Sequence, residues 1–119
     1  MIDWDRVKHF ARSEFGRADG VEPCPVLVQR LDEARGIAGV PFVINSGIRT
    51  ADRNAEVGGT HESAHITGHA VDIRCPSSRH RFLIVSALRD AGFRRIGIGS
   101  TFVHCDTDPD KPQDVIWTY

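Results

Sequence analysis

The sequence has little of several things. Its 119 residues include three cysteines, Cys24, Cys75 and Cys105, and only one methionine and one tyrosine. An odd number of cysteines with no C-x-x-C spacing argues against a disulfide scaffold and against a cysteine-ligated zinc site. No apolar run approaches the roughly 18 residues that cross a bilayer, so no membrane insertion is expected. The opening residues, Met1-Ile2-Asp3-Trp4-Asp5, lack the basic and then apolar stretches of a secretory signal, so work outside the cell would need another export route. Net charge is small as well: 15 basic against 16 acidic residues give −1. Without a positive field to displace counterions, a general nucleic-acid partner is not expected. Repeats and low-complexity linkers are also missing.

What is present is ordinary in bulk and uneven in detail. Hydrophobic residues make up 40% and charged residues 26%, close to the globular average. We expect one domain over residues 1–119, acting as a monomer with a core of its own. Six histidines stand out, three of them, His61, His65 and His69, within nine residues.

Apolar spacing predicts a helix from Asp5 to Phe15, with Val7, Phe10, Ala11 and Phe15 on one face, then a Gly- and Pro-rich loop. A second helix is expected over Val26–Ala34, ended by Gly36 and Gly39. Pro41–Ser46 reads as a short strand. Thr50–Val57 reads as a helix capped by Thr50 and closed by Gly58-Gly59, and Thr60–Gly68 as a polar loop. His69–Arg74 alternates as a strand does. Ser77 or Ser78 caps a helix to Ala91, with Gly92 just beyond its end. Arg95–Ile98 and Thr101–Asp106 read as strands across a Gly99-Ser100 turn. This order predicts an α+β fold, a small mostly antiparallel sheet with flanking helices.

Three residues from separate elements form a candidate ligand set: His65 in the polar loop, Asp72 on one strand and His104 on another. Two imidazoles and a carboxylate suit Zn²⁺, and three protein ligands leave a fourth position open, as in catalytic sites. Zinc in such a site lowers the pKa of water to about 7 and polarises a carbonyl. Strand alternation is compatible: with Asp72 and His104 on one face, Val71, Ile73, Val103 and Cys105 turn to the other. By the same rule Cys75 and Cys105 face away from the site and are expected as neighbouring, buried, free thiols. From spacing alone the set reads equally well as three unrelated hydrogen-bonding residues.

The segment Ser63-x-His65-x-x-Gly68-x-Ala70-x-Asp72 resembles the S-x-H-x-x-G-x-A-x-D motif of the M15 zinc peptidases at every fixed position. That family comprises D-alanyl-D-alanine carboxypeptidases and related cell-wall peptidases. Upstream, Ser46-Gly47-Ile48-Arg49-Thr50 is similar to its S-G-[YF]-R-[ST] segment, and Asn54–Gly59 to the stretch that follows. Downstream, Phe102-Val103-His104-Cys105-Asp106 is similar to its F-V-H-x-D element, and Trp117-x-Tyr119 to the tail of small members. The resemblance implies a Hedgehog/DD-peptidase-like fold with Zn²⁺ held by His65, Asp72 and His104. It implies that Arg49 holds a substrate carboxylate or the developing oxyanion, a task suited to a permanently charged, forked guanidinium. Ser63 would bind substrate or order its loop, and Gly68 would supply a backbone angle or a close approach.

Two departures from the family pattern matter. The general base is usually an acid three positions before the last histidine or a histidine two before it. Here those positions hold Thr101 and Phe102, and neither can serve. The alternatives are Asp106, Glu62 and His61, with Asp106 also placed to orient His104. Ile48 stands where an aromatic residue is usual. His9, His69 and His80 read as solvated, and Trp4 and Trp117 as core or lid aromatics.

The expectation is therefore a zinc metallopeptidase acting on the stem peptide of peptidoglycan. It would be of D-Ala-D-Ala carboxypeptidase or endopeptidase type, encoded by a phage or prophage, and would reach the wall by a phage-type route or on a virion. The rival is a non-catalytic, zinc-containing cell-wall-binding or phage structural module. A cytoplasmic zinc amidohydrolase acting on a small peptide is a third reading.

Overall fold

The structure, a computed structural model, describes residues 1–60 and 63–119. Helix α1 (Pro25–Ala38) starts with proline at its first turn, where a missing N–H costs nothing, and ends at Gly39 in the left-handed conformation. It runs past Gly36, where the sequence pattern ended it. Strand β1 (Ile44–Ser46) follows, then α2 (Ala51–Glu56), whose first turn is capped by the Thr50 hydroxyl accepting from the Arg53 amide. Strand β2 (Ala70–Arg74) leads to α3 (Ser78–Asp90), capped by Ser77 through the His80 amide. Strands β3 (Arg95–Ile98), β4 (Phe102–Asp106) and β5 (Val115–Thr118) complete the chain.

The five strands form one sheet in the order β1-β2-β4-β3-β5. The first three pairings are antiparallel and the last, β3 with β5, is parallel. This is the expected α+β arrangement with a mostly antiparallel sheet. The core lies between one sheet face and the helices. Val71, Ile73, Ile96, Val103 and Cys105 meet Leu27, Val28 and Leu31 of α1 and Ile84, Ala87 and Leu88 of α3, all buried. Burial pushes the Cys105 thiol well above its ordinary pKa, with the charges of Asp106 and Asp72 adding to the effect.

Two expectations fail. Residues 5–15 do not form a helix: two 3-10 turns, Trp4–Arg6 and Arg12–Phe15, stand in its place. The reason is tertiary. The amides of Lys8 and His9 donate to the Asp32 carboxylate of α1 (2.9 and 2.8 Å), so they are not available for helical bonds. Phe10 and Phe15 still reach the core, while Ala11 and His9 are exposed. Cys75 and Cys105 are both free and buried, but they are not side by side. Cys105 pairs with Val71 and Cys75 lies four residues further along, just past the end of β2, a separation of about 13 Å at strand rise.

Candidate metal centre

The site is a row of residues that crosses the sheet. Register places Ser46 of β1 opposite Asp72 of β2, Asp72 opposite His104 of β4, His104 opposite Gly97 of β3, and Gly97 beside Trp117 of β5. Facing residues in a ladder project from the same side of the sheet. This side is opposite the core, and it floors a cleft of about 390 Å³ that His65, Arg49 and Ser63 also line.

His65 enters from the loop before β2. Its Nδ1 lies 2.8 Å from the Gly47 carbonyl oxygen. A carbonyl only accepts, so Nδ1 carries the proton and the Nε2 lone pair faces the row. The Gly47 carbonyl can take this place because residue 47 has no side chain: a Cβ there would stand 2.3 Å from the Phe15 carbonyl oxygen. The loop is held by Ser63, whose hydroxyl accepts from the His65 amide (3.2 Å). Its turn at Gly68 has φ +78°, and a Cβ there would meet the Glu22 carbonyl oxygen at 2.4 Å. Both the backbone angle and the close approach require glycine.

Asp72 Oδ1 lies 3.3 Å from His65 Nε2 and 2.9 Å from His104 Nδ1. One ligand atom from each of the three residues falls within 4.8 Å of the other two. Donors about 2.0–2.1 Å from a tetrahedral zinc are about 3.4 Å apart, so the spacing and the nitrogen–oxygen set both fit that ion. Burial raises the Asp72 carboxyl pKa, but hydrogen bonds and charge from His104 and His65 outweigh it and hold the group far below its ordinary value.

Asp106, opposite Ala70 and two residues beyond His104, also lines the cleft, but both of its oxygens are engaged by protein groups. Its Oδ2 accepts from His104 Nε2 (2.7 Å), and its Oδ1 accepts from Arg95 Nε (2.7 Å) and the Asp108 amide (3.1 Å). Burial lowers the His104 imidazole pKa, but the hydrogen bonds to Asp106 and Asp72 prevail and raise it. Burial likewise raises Asp106, and the His104 and Arg95 interactions bring it below the usual carboxylate range.

Arg49 is fully engaged within the protein. Its Nε donates to Ser46 Oγ (2.8 Å), one terminal nitrogen donates to Asn54 Oδ1 (3.2 Å) and the other to Asp72 Oδ2 (3.0 Å). It thus lines the cleft while bonded to the Asp72 oxygen that His65 and His104 do not use. The buried Asn54 of α2 is held in turn by donating to the Thr60 carbonyl (2.6 Å). His61 and Glu62 lie outside the described residues. His69 is away from the row, with its ring on the Thr67 hydroxyl (2.8 Å).

The family model for peptidase M15 matches residues 7–106. The chain belongs to the M15 peptidases. Among solved structures, this M15 chain is similar to the Serratia marcescens L-Ala D-Glu endopeptidase ChiX, with a TM-score of 0.59 and 25% identity over 72% of this chain and 80% of that one. No curated protein matches the chain. Sequence reasoning about this M15 member did not find Arg95 and Lys111 of the cleft, and it named Trp117 and Tyr119 without the strand, β5, that brings them to it. A signal for the last two was present, since residues 115–119 are β-branched and aromatic and set Trp117 and Tyr119 two apart.

Proposed function

We propose that this chain is a zinc-dependent peptidoglycan peptidase. The observation that carries the reading is the convergence of His65 Nε2, Asp72 Oδ1 and His104 Nδ1 on one point of the cleft floor. Membership of the M15 family and the likeness to an L-Ala D-Glu endopeptidase support a stem-peptide substrate and favour the endopeptidase type over the carboxypeptidase type. Zinc held by these three residues would supply Lewis acidity and an acidified water.

The rest falls to the protein. The Gly47 carbonyl and Asp106 fix the tautomers of His65 and His104. Arg49 holds Asp72 with one oxygen toward the histidines, and as a cation lining the cleft it would stabilise negative charge developing on the substrate. Ser63 sets the loop that presents His65. Asp106 has both oxygens occupied, so the proton-accepting role passes to Glu62 or His61, which precede Ser63 in the chain. The test is digestion of purified cell wall by zinc-loaded protein, with fragments identified by mass. Cleavage between L-Ala and D-Glu is expected, whereas loss of a terminal D-Ala would assign the carboxypeptidase type.

One observation favours a second reading, a zinc-bearing module that binds cell wall without cutting it. Thr101 and Phe102 occupy the positions that resemblance assigns to the base. Cell-wall binding without fragment release, unchanged in E62Q, would establish it.

A further inference from the structure

The row that builds the centre continues beyond His104, and its far end has no role so far. Trp117 stands beside Gly97 in the β3–β5 ladder, and Gly97 stands opposite His104. A Cβ on Gly97 would lie 2.7–2.9 Å from three atoms of the Trp117 indole. The ring therefore rests on bare β3 backbone and extends across it to His104. The two ring centroids are 5.5 Å apart and the planes are inclined by 52°. Arg95, two residues before Gly97 on the same strand, places its guanidinium 4.9 Å from the Trp117 ring centroid. The same guanidinium donates to Asp106, and Asp106 holds His104 Nε2. His104 is thus held through its Nε2 by Asp106 and packed at a tilt against the Trp117 ring, and Arg95 ties the two together.

The ring contact has work that the hydrogen bond leaves undone. The terminal torsion of a histidine side chain is broad, so packing on the ring, more than rotamer preference, sets its plane. We propose that Trp117 is a positioning residue for the metal centre. Laid across the stripe that Gly97 leaves open, it fixes the plane in which His104 turns Nδ1 toward Asp72 and His65. This rests on the reading of those three residues as ligands.

The test is Co²⁺ binding to the metal-free protein, followed by visible absorbance, in wild type, W117F, W117A, G97A and the double variant G97A/W117A. Outer partners of metal-bound histidines typically change affinity by about 10- to 100-fold, so W117A is expected to weaken Co²⁺ binding at least tenfold. W117F keeps a ring against His104 and is expected to stay within about threefold of wild type. G97A leaves the tryptophan intact but lifts it, and is expected to weaken binding about as much as W117A. With the ring gone the three nearest atoms that the added methyl meets are gone too, so the double variant is expected to bind no worse than W117A. Wild type and W117A binding within twofold of each other, or penalties from G97A and W117A that add, would overturn the proposal. If W117A does not fold, G97A against W117F decides: a weak G97A with a tight W117F supports the proposal, and equal affinities overturn it. Wild type failing to bind Co²⁺ at all would instead overturn the ligand reading, and this inference with it.

Discussion

Strands β2 and β4 carry two different kinds of surface on alternate residues. On one side Val71, Ile73, Val103 and Cys105 are buried against α1 and α3. On the other, Asp72, His104 and Asp106 are also largely enclosed, yet every polar side-chain atom of the group has a named partner, either within the group or in His65, Arg49, Arg95 or the Asp108 amide. The apolar side is held by volume and is indifferent to identity, provided the space is filled. The polar side is held by pairing, and removing one member strands the rest. Buried ion pairs are frequently no more stabilising than apolar residues of the same size, so stability does not explain why this side is polar. A chemical task does.

That contrast breaks most decisively at a ligand. H65A removes a nitrogen from the polar side without opening the core. Zinc content is expected to fall to background and fragment release from cell wall about 10³-fold or more, since the ion's charge stabilisation is worth several kcal/mol. The metal-free protein should still fold, at a lower urea midpoint, because the Gly47 carbonyl and Asp72 each lose a buried partner. Fragment release persisting in H65A would refute the ligand assignment. The opposite lesion is I73A, at a fully buried residue one position from Asp72. It should cost about 2–5 kcal/mol in urea unfolding, as large-to-small core changes do, while the folded fraction binds Co²⁺ as wild type does. A large loss of metal affinity with little loss of stability would show that the two faces are not separable.

The two surfaces were unequally legible. The alternation in Ala70–Arg74 and Phe102–Asp106 separates ligands from core residues without help, because strand period needs no tertiary information. The ends of α3 are similarly local, set by Ser77 and by Gly92 at φ 96°. The failures are long-range. Residues 5–15 have helical spacing, but Asp32 captures two of their amides. Arg49 sits in a loop, where nothing in its neighbours says that its charge goes to Asp72. Strand β5 was passed over because it follows a Pro- and Asp-rich loop that turns at Asp114, a non-glycine residue with φ 60°. Without β5 the sheet ends at β3, and the far end of the row is invisible.

A finer probe of the polar side is D106N. The amide keeps the shape but loses the charge that His104 Nε2–H and Arg95 share. Metal affinity is expected to fall about 10- to 100-fold with no change in which residues bind the ion. If Asp106 were instead the proton acceptor, D106N would abolish turnover while leaving affinity intact. Parallel measurement of Co²⁺ affinity and of fragment release at saturating zinc separates the two.

The smallest effect lies on the apolar side, directly behind the ligands. Cys105 is flanked in sequence by His104 and Asp106, yet its thiol is fully enclosed with Val71 and Ile96 in the core. Cys75 is equally enclosed, and Cys24 is partly exposed. A thiol reagent reaches an enclosed sulfur only when the structure opens. Metal-free native protein should therefore label quickly at Cys24 alone. Cys75 and Cys105 should follow at a slow rate that rises with urea in step with global unfolding. Should Cys105 label as quickly as Cys24, the layer behind His104 and Asp106 opens without unfolding. The rigidity that holds Asp72 and His104 in register would then have to come from the polar partners alone.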